Sequence, residues 1–200
     1  MEIDKNKKKM LPLLLLLIPL VGIFIISTRT IYIGSNSKEV NIIALITLVV
    51  NLLVSLVIWI LFDFSTNQFQ FVTECYEFHQ YSVYLGVDGL SIYFVLLTTI
   101  IMPIALLSNW SSIIENKKSY VIIILLLETL LLAVFLVLDI FLFYIFFESI
   151  LPPLFLLIGL FGSDNKVRAS LYLFLYTLSM GVGFHLFCVK EPNSGKAQKL

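Results

Sequence analysis

The stretch IFLFYIFFESILPPLFLLIGLF, Ile140 to Phe161, decides the fold. Its 22 residues are almost unbroken hydrocarbon and aromatic side chains, interrupted by Glu148, Ser149 and the pair Pro152 and Pro153. A helix needs about 20 residues to cross an apolar layer about 30 Å thick. The run is continuously apolar instead of alternating, which selects a helix over a barrel strand. The rest of the chain is of the same kind. Of 200 residues 60% are hydrophobic, 14% aromatic and only 13% charged, and the mean hydropathy is +1.01. A globular domain carries about 25% charged residues, so most of this surface must face lipid. That excludes a soluble enzyme, a disordered tail and a disulfide scaffold. Thirteen basic and thirteen acidic residues cancel, so no overall field draws in nucleic acid. Cys75 and Cys188 are too few and too isolated to imply a disulfide or a metal cluster. The fold class is an all-α membrane protein.

Working outward, the chain reads as about six transmembrane helices: 10–28, 40–61, 89–107, 120–138, 140–161 and 169–189. A signal peptide is the rival reading of the first, after Lys5 to Lys9. No small-residue cleavage site follows it before Arg29, which favours a retained span. Asp139 alone separates the fourth and fifth spans, making them a tight antiparallel pair. Gly162 to Arg168 is a short polar turn. The longest connection, Asp63 to Asp88, has acids and aromatics but no Lys or Arg. Tyr32, Trp59, Tyr84, Trp110 and Tyr120 stand at span ends, where an interfacial aromatic belt belongs. Arg29, Lys38, Lys117, Lys118, Lys166 and Arg168 lie after the odd-numbered spans, and no basic residue lies after the second or fourth. This bias puts the odd-numbered loops on the electronegative side, matrix or cytoplasm, and the N-terminus opposite. Lys5, Lys7, Lys8 and Lys9 argue the other way and are outweighed by six charges spread over three loops.

A charge at mid-bilayer costs roughly 2.5–3.5 kcal/mol on insertion scales. Two acids stand out against that cost, Glu148 and Glu128. Counted from Asp139 at about 1.5 Å per residue, they sit about 13 Å and about 16 Å deep. They are therefore at similar depth, and spacing alone does not say whether their faces meet. A helical proline removes the bond to the carbonyl four residues back. Pro152 frees the carbonyl of Glu148 itself and Pro153 that of Ser149, on a helix that must bend, a natural place for water to enter. Burial favours the neutral acid and a neighbouring cation favours the carboxylate, so such a group can alternate between proton-loaded and empty states. Glu148 is the expected proton carrier, against a structural, hydrogen-bonded acid as the alternative. For Glu128 a second-acid role and a structural role are evenly matched. Asp139 reads as the N-cap of the fifth helix and Asp88 as a cap of the third. His79 and His185 read as packing or surface residues, since no histidine pair has haem or metal spacing. No glycine-rich phosphate loop supports NAD or ATP binding.

Three segments in order carry a resemblance: GVDGLSIYFVLLTT (Gly86–Thr99), LFYIFFESILPPLFLLIGLFGS (Leu142–Ser163) and NKVRASLYLFLYTL (Asn165–Leu178). Over roughly residues 40–178 the chain resembles subunit 4 of mitochondrial NADH:ubiquinone oxidoreductase, complex I. The resemblance implies an antiporter-like, proton-pumping subunit of the membrane arm, in the mitochondrial inner membrane, with other membrane-arm subunits as partners. It implies no cofactor in this chain, since NADH, flavin, iron–sulfur clusters and ubiquinone are handled by other subunits. Glu148 matches the family's fifth-helix glutamate, which partners a lysine of the seventh helix. That lysine lies in a part of the family pattern this chain lacks. After Leu178 the family continues for about eight more spans. Here SMGVGFHLFCVKEPNSGKAQKL (Ser179–Leu200) follows, and its polar end reads as a translated intron or frameshift. The expectation is thus an N-terminal fragment of a larger antiporter-like bundle, truncated after about residue 178. The alternatives are a subunit of a multi-subunit cation/proton antiporter and a non-functional truncated product.

Overall fold

The computed structural model describes residues 10–32, 37–65, 68–78, 81–110, 116–162 and 165–189. They form, in chain order, α1 (Leu11–Tyr32), α2 (Ser37–Leu61), β1 (Gln70–Phe78), β2 (Tyr81–Val87), α3 (Ser91–Ser108), α4 (Lys117–Leu136), α5 (Ile140–Ser149), α6 (Leu151–Phe161) and α7 (Lys166–Val189). Each expected span overlaps a helix, and the fifth is divided between α5 and α6. The first two run longer than their hydropathy suggests, because polar residues such as Thr28, Arg29, Ser37 and Lys38 continue the helical backbone past the apolar core. By length and composition five segments, Leu11–Arg29, Lys38–Leu61, Ser91–Ser108, Lys117–Leu136 and Ile140–Phe161, are apolar enough to cross a membrane. The chain is a multi-pass membrane protein.

The centre of the bundle is α4, which packs against α1, α2, α3, α5 and α6, while α7 packs on α6. Two thirds of its span is buried, against well under a third for every other span. The outer helices turn Phe24, Ile60, Ile104 and Tyr176 outward, as lipid-facing positions require. Inside, apolar side chains gather at the two ends. One cluster joins Leu15, Ile58, Phe62, Val87, Ile92, Leu132 and Leu136. The other joins Ile26, Val40, Leu48, Leu106, Val121 and Leu125.

The connection 63–88 is the main departure from the sequence reading. It is an antiparallel hairpin, with Thr73 opposite Leu85 and Phe78 opposite Tyr81. The physical reason is visible in QFVTECYEF and YSVYLGV, rich in aromatic and β-branched residues, which suit a pleated, half-buried surface. Its second strand reaches the α4–α5 turn. Leu85 bridges Val137, and the Leu138 N–H donates to the Tyr84 carbonyl at 3.1 Å. Gly86 permits this approach, since a Cβ there would stand 2.8 Å from the Leu138 side chain. The turn is accordingly three residues, Val137 to Asp139, not one. Where the chain enters the hairpin, Asp63 Oδ1 accepts from the Ser65 hydroxyl and backbone N–H. Those bonds hold its carboxyl below the usual carboxylate range.

Hairpin and α4–α5 turn therefore share one end of the bundle. Arg29, Lys38, Lys117, Lys118, Lys166 and Arg168 lie at the helix ends of the opposite side, the arrangement the basic-residue bias demands. Lys166 Nζ there donates to the Leu160 carbonyl at 3.1 Å, closing the C-terminal end of α6.

Asp139 caps α5 as expected, its side chain accepting from the Phe141 N–H at 3.1 Å. Asp88 does not cap α3. The residue in the cap position is Leu90, which makes no side-chain bond. Ser91 closes the turn instead, its hydroxyl accepting from the Asp88 N–H at 2.7 Å. The helix starts at Ser91, so Asp88 lies two residues ahead of the cap position. Cys75 and His79 are not described at side-chain level, nor are His185 and Cys188 in α7, so the readings of these four lie outside the described residues. Replacing Asp139 by Ala should lower stability by about 1 kcal/mol, the usual worth of an N-cap. Thermal unfolding in bicelles would show it as a lower midpoint, and an unchanged midpoint would remove the cap from the account.

Candidate functional site

Glu148 is the penultimate residue of α5. The expected bend takes the form of a one-residue interruption at Ile150, whose backbone keeps right-handed helical dihedrals (φ −70°, ψ −29°). The helix stops at Ser149, Ile150 stands between helices, and α6 restarts with Pro152 and Pro153 in its first turn, where a proline's missing N–H costs nothing. The Ile150 N–H turns back to the Phe147 carbonyl at 3.3 Å, a tighter bond than an α-helix makes. Pro153 is buried while Pro152 is exposed. The interruption thus falls two residues after Glu148.

Tyr144 lies one turn earlier on the same face, and its hydroxyl donates to Glu148 Oε1. The other side of the carboxylate meets α7. A Cβ added at Gly181 would lie 2.7 Å from Glu148 Oε1 and 3.3 Å from the Tyr144 hydroxyl. Only a residue without a side chain lets α7 pass there with the pair undisturbed, a close approach typical of helices packed in lipid. Glu148 itself is partly exposed. A hydroxyl donor on one oxygen, partial exposure and a nearby helix interruption mark this carboxyl.

Glu128 is placed differently. It is fully buried on α4 and accepts from Asn51 Nδ2 of α2 at 2.8 Å. The two acids bond to different partners, Glu128 to Asn51 and Glu148 to Tyr144. Similar depth does not bring them together. Beside the first pair, Ser55 of α2 and Thr99 of α3 share a hydrogen bond of 2.8 Å. A thin polar layer, Asn51, Ser55, Thr99 and Glu128, thus crosses the middle of the bundle between its two apolar clusters.

Asn51 and Tyr144 were not among the candidates read from the sequence. Asn51 carried a signal, as an amide in the middle of a span whose nearest neighbours, Thr47 to Ser55, are otherwise Leu, Val, Thr and Ser. Tyr144 carried one too, four residues before an intramembrane acid and so on its face. Among the described residues, no group of three His, Cys, Asp or Glu side chains is placed to hold a metal ion.

Residues 137–189 match the family model described as NADH:quinone oxidoreductase/Mrp antiporter, transmembrane. The match includes Glu148, both prolines and the segment after Leu178 as far as residue 189. The chain is 57% identical, over 93% of its length, to "Uncharacterized 50.9 kDa protein in ND4 intron 1" of Podospora anserina, covering 47% of that protein. It is 49% identical over 82% of its length to NADH-ubiquinone oxidoreductase chain 4 of Mycosarcoma maydis, and 43% identical over 78% to that of Arabidopsis thaliana. It covers 34% and 32% of those two proteins. A chain of the membrane-bound sulfane sulfur reductase, an archaeal respiratory membrane complex, shares the fold with a TM-score of 0.71 at 19% identity, over 89% of this chain and 35% of that one.

Helices, broken span and family match together define a membrane subunit of the antiporter-like class. Within that class the chain belongs to the family of NADH-ubiquinone oxidoreductase chain 4, and it spans between a third and a half of the length of the curated relatives it matches.

The two acids should differ in reactivity. An apolar carbodiimide added to the chain in lipid vesicles should modify Glu148 and spare Glu128, because only the former is exposed. Peptide mass spectrometry reads the site, and equal modification of both would contradict the buried placement of Glu128.

Proposed function

We propose that the chain is a membrane-arm element of respiratory complex I in the mitochondrial inner membrane, contributing to proton translocation coupled to electron transfer from NADH to ubiquinone. The observation that carries this reading is Glu148, bonded to Tyr144 at the break between α5 and α6, in a chain whose relatives bear the name chain 4 of that oxidoreductase. Glu148 is the proton carrier in this proposal. Its carboxylate takes up a proton beside the interruption at Ile150, where the Tyr144 hydroxyl donates to Oε1. Pro152 and Pro153 keep the helix open beside it. Gly181 lets α7 pass close to the carboxyl without displacing it. Other membrane-arm subunits are the partners, and the redox groups belong to subunits outside this chain, a division the family resemblance implies.

A second reading rests on the family model, which spans quinone oxidoreductases and Mrp antiporters alike. In it the same carboxyl serves a multi-subunit cation/proton antiporter. A third rests on the Podospora anserina relative, whose name places it in an intron; the chain would then be a product that joins no complex. Blue-native gels probed for this chain separate the three. Comigration with NADH-oxidising subunits supports complex I, comigration with an exchanger supports the second reading, and absence from any large complex supports the third.

In the assembled complex, Glu148→Gln should abolish proton pumping while leaving assembly largely intact. Pumping near the wild-type level, measured with a pH-sensitive dye in sealed vesicles, would remove Glu148 from the mechanism. Tyr144→Phe should reduce pumping less severely, since it removes the donor but keeps the acid. A Tyr144→Phe enzyme as inactive as Glu148→Gln would mean that the hydroxyl itself relays the proton.

A further inference from the structure

The proposed proton path makes no use of Glu128, yet this acid is the more deeply buried of the two. Both Glu128 and Asn51 are completely inaccessible to solvent, and a single bond, Asn51 Nδ2 to Glu128 Oε1 at 2.8 Å, joins them. Each then has one oxygen left over. Glu128 Oε2 and Asn51 Oδ1 are buried and have no hydrogen-bond partner. Both are acceptors, and an ionised carboxylate brings only further acceptors. In that form the pair would contain a buried charge and two unmatched oxygens. Leaving a buried polar atom unpaired costs about 1–3 kcal/mol, and taking a charge out of water costs several kcal/mol more.

One proton on Oε2 removes all three faults. It neutralises the acid and supplies the donor that Asn51 Oδ1 lacks, so that two parallel hydrogen bonds close a ring between carboxylic acid and amide. We infer that Glu128 and Asn51 form a proton-holding acid–amide pair at the centre of the bundle, a protonation site separate from Glu148. The proton is retained, not transported, and it pins α2 to α4 in register between the two apolar clusters.

The surroundings agree. Leu125 and Leu132, one turn either side on α4, are fully buried and apolar. On the elements packed against α4, the charged residues are Arg29 of α1, Lys38 and Glu39 of α2, and Glu148 of α5. Lys38 lies 13 residues before Asn51 on α2, and Lys118, the nearer of the two α4 lysines, lies 10 residues before Glu128, about 20 Å and about 15 Å along their axes. Arg29 stands in the last turn of α1, beside those lysines. No cation at that end reaches the pair to compensate a carboxylate. The phenols on these elements are Tyr32 on α1, Tyr93 on α3, Tyr120 on α4 itself, Tyr144 on α5, and Tyr81 and Tyr84 on β2. Of these, Tyr120 bonds to Asn109 and Tyr144 to Glu148, while Glu128 bonds to Asn51.

Infrared difference spectra of the chain in lipid vesicles test this. Wild type minus Glu128→Gln should show the carbonyl band of a protonated carboxyl at neutral pH, well above the ordinary glutamate value of about 4.3. Asn51→Leu should shift that band to higher frequency as its hydrogen bond is lost. A difference spectrum showing only carboxylate bands would overturn the inference. Thermal stability gives a readout independent of the spectrum. Glu128→Gln can close the same ring amide to amide and should melt near wild type, whereas Asn51→Leu should melt distinctly lower. The double variant Asn51→Leu with Glu128→Leu should recover most of the loss, because no polar atom remains unpaired. Should Glu128→Gln destabilise as much as Asn51→Leu, the site requires a charge and the retained proton is refuted. If Asn51→Leu fails to fold, the wild-type and Glu128→Gln spectra still decide.

Discussion

Hydrocarbon offers no hydrogen bonds, so a polar side chain between the ends of these helices must find its partner on a neighbouring helix or one turn away on its own. That constraint organises the interior. Asn51 meets Glu128 across α2 and α4, and Ser55 meets Thr99 across α2 and α3. Thr98, Thr129 and Ser149 bond back to carbonyls of their own helices. Between lipid-facing helices, burying hydrocarbon does little to favour one register over another, because lipid tails are as apolar as Leu. Pairwise polar contacts are directional and can select that register. The central layer of four polar residues therefore contributes specificity to a bundle whose apolar contacts are largely interchangeable.

The two acids illustrate opposite solutions to the same constraint. Glu128 is enclosed on the most buried helix, with an amide as its partner and leucines one turn away on either side. Glu148 sits at a discontinuity, partly exposed, with a phenol as its partner and a glycine of another helix facing it. Enclosure favours one protonation state held permanently. A partly exposed site beside a helix interruption leaves the carboxyl in reach of solvent, as the proposed proton carrier requires. The different roles assigned to the two residues follow from these surroundings, not from their depth, which is similar.

The hairpin adds a second kind of constraint. β2 bonds to the α4–α5 turn and packs on the same apolar cluster as α1 and α3. The turn preceding the Glu148 helix is thereby held from outside the bundle, while Asp139 caps that helix from within. Together they fix where α5 begins and so where, eight residues later, its acid lies.

Much of this was open to reading from the residues alone. Hydropathy located the spans, since helices in lipid must satisfy their backbone internally and so announce themselves as long apolar runs. Lys and Arg placement set one end against the other, and Glu148 with Pro152 and Pro153 marked the broken helix. The hairpin at 70–87 was legible in principle from its aromatic and β-branched residues, yet the absence of a glycine turn left it looking like a loop. Partners are a different matter. Asn51 and Glu128 are 77 residues apart, and the rotation of one helix against another is not contained in the periodicity of either. Composition and periodicity determine that these helices form and cross a membrane, because those are properties of each segment and its solvent. Which acid is sealed against an amide and which is left at an open break depended on helix packing, because hydrogen bonds between helices form only at particular rotations and separations.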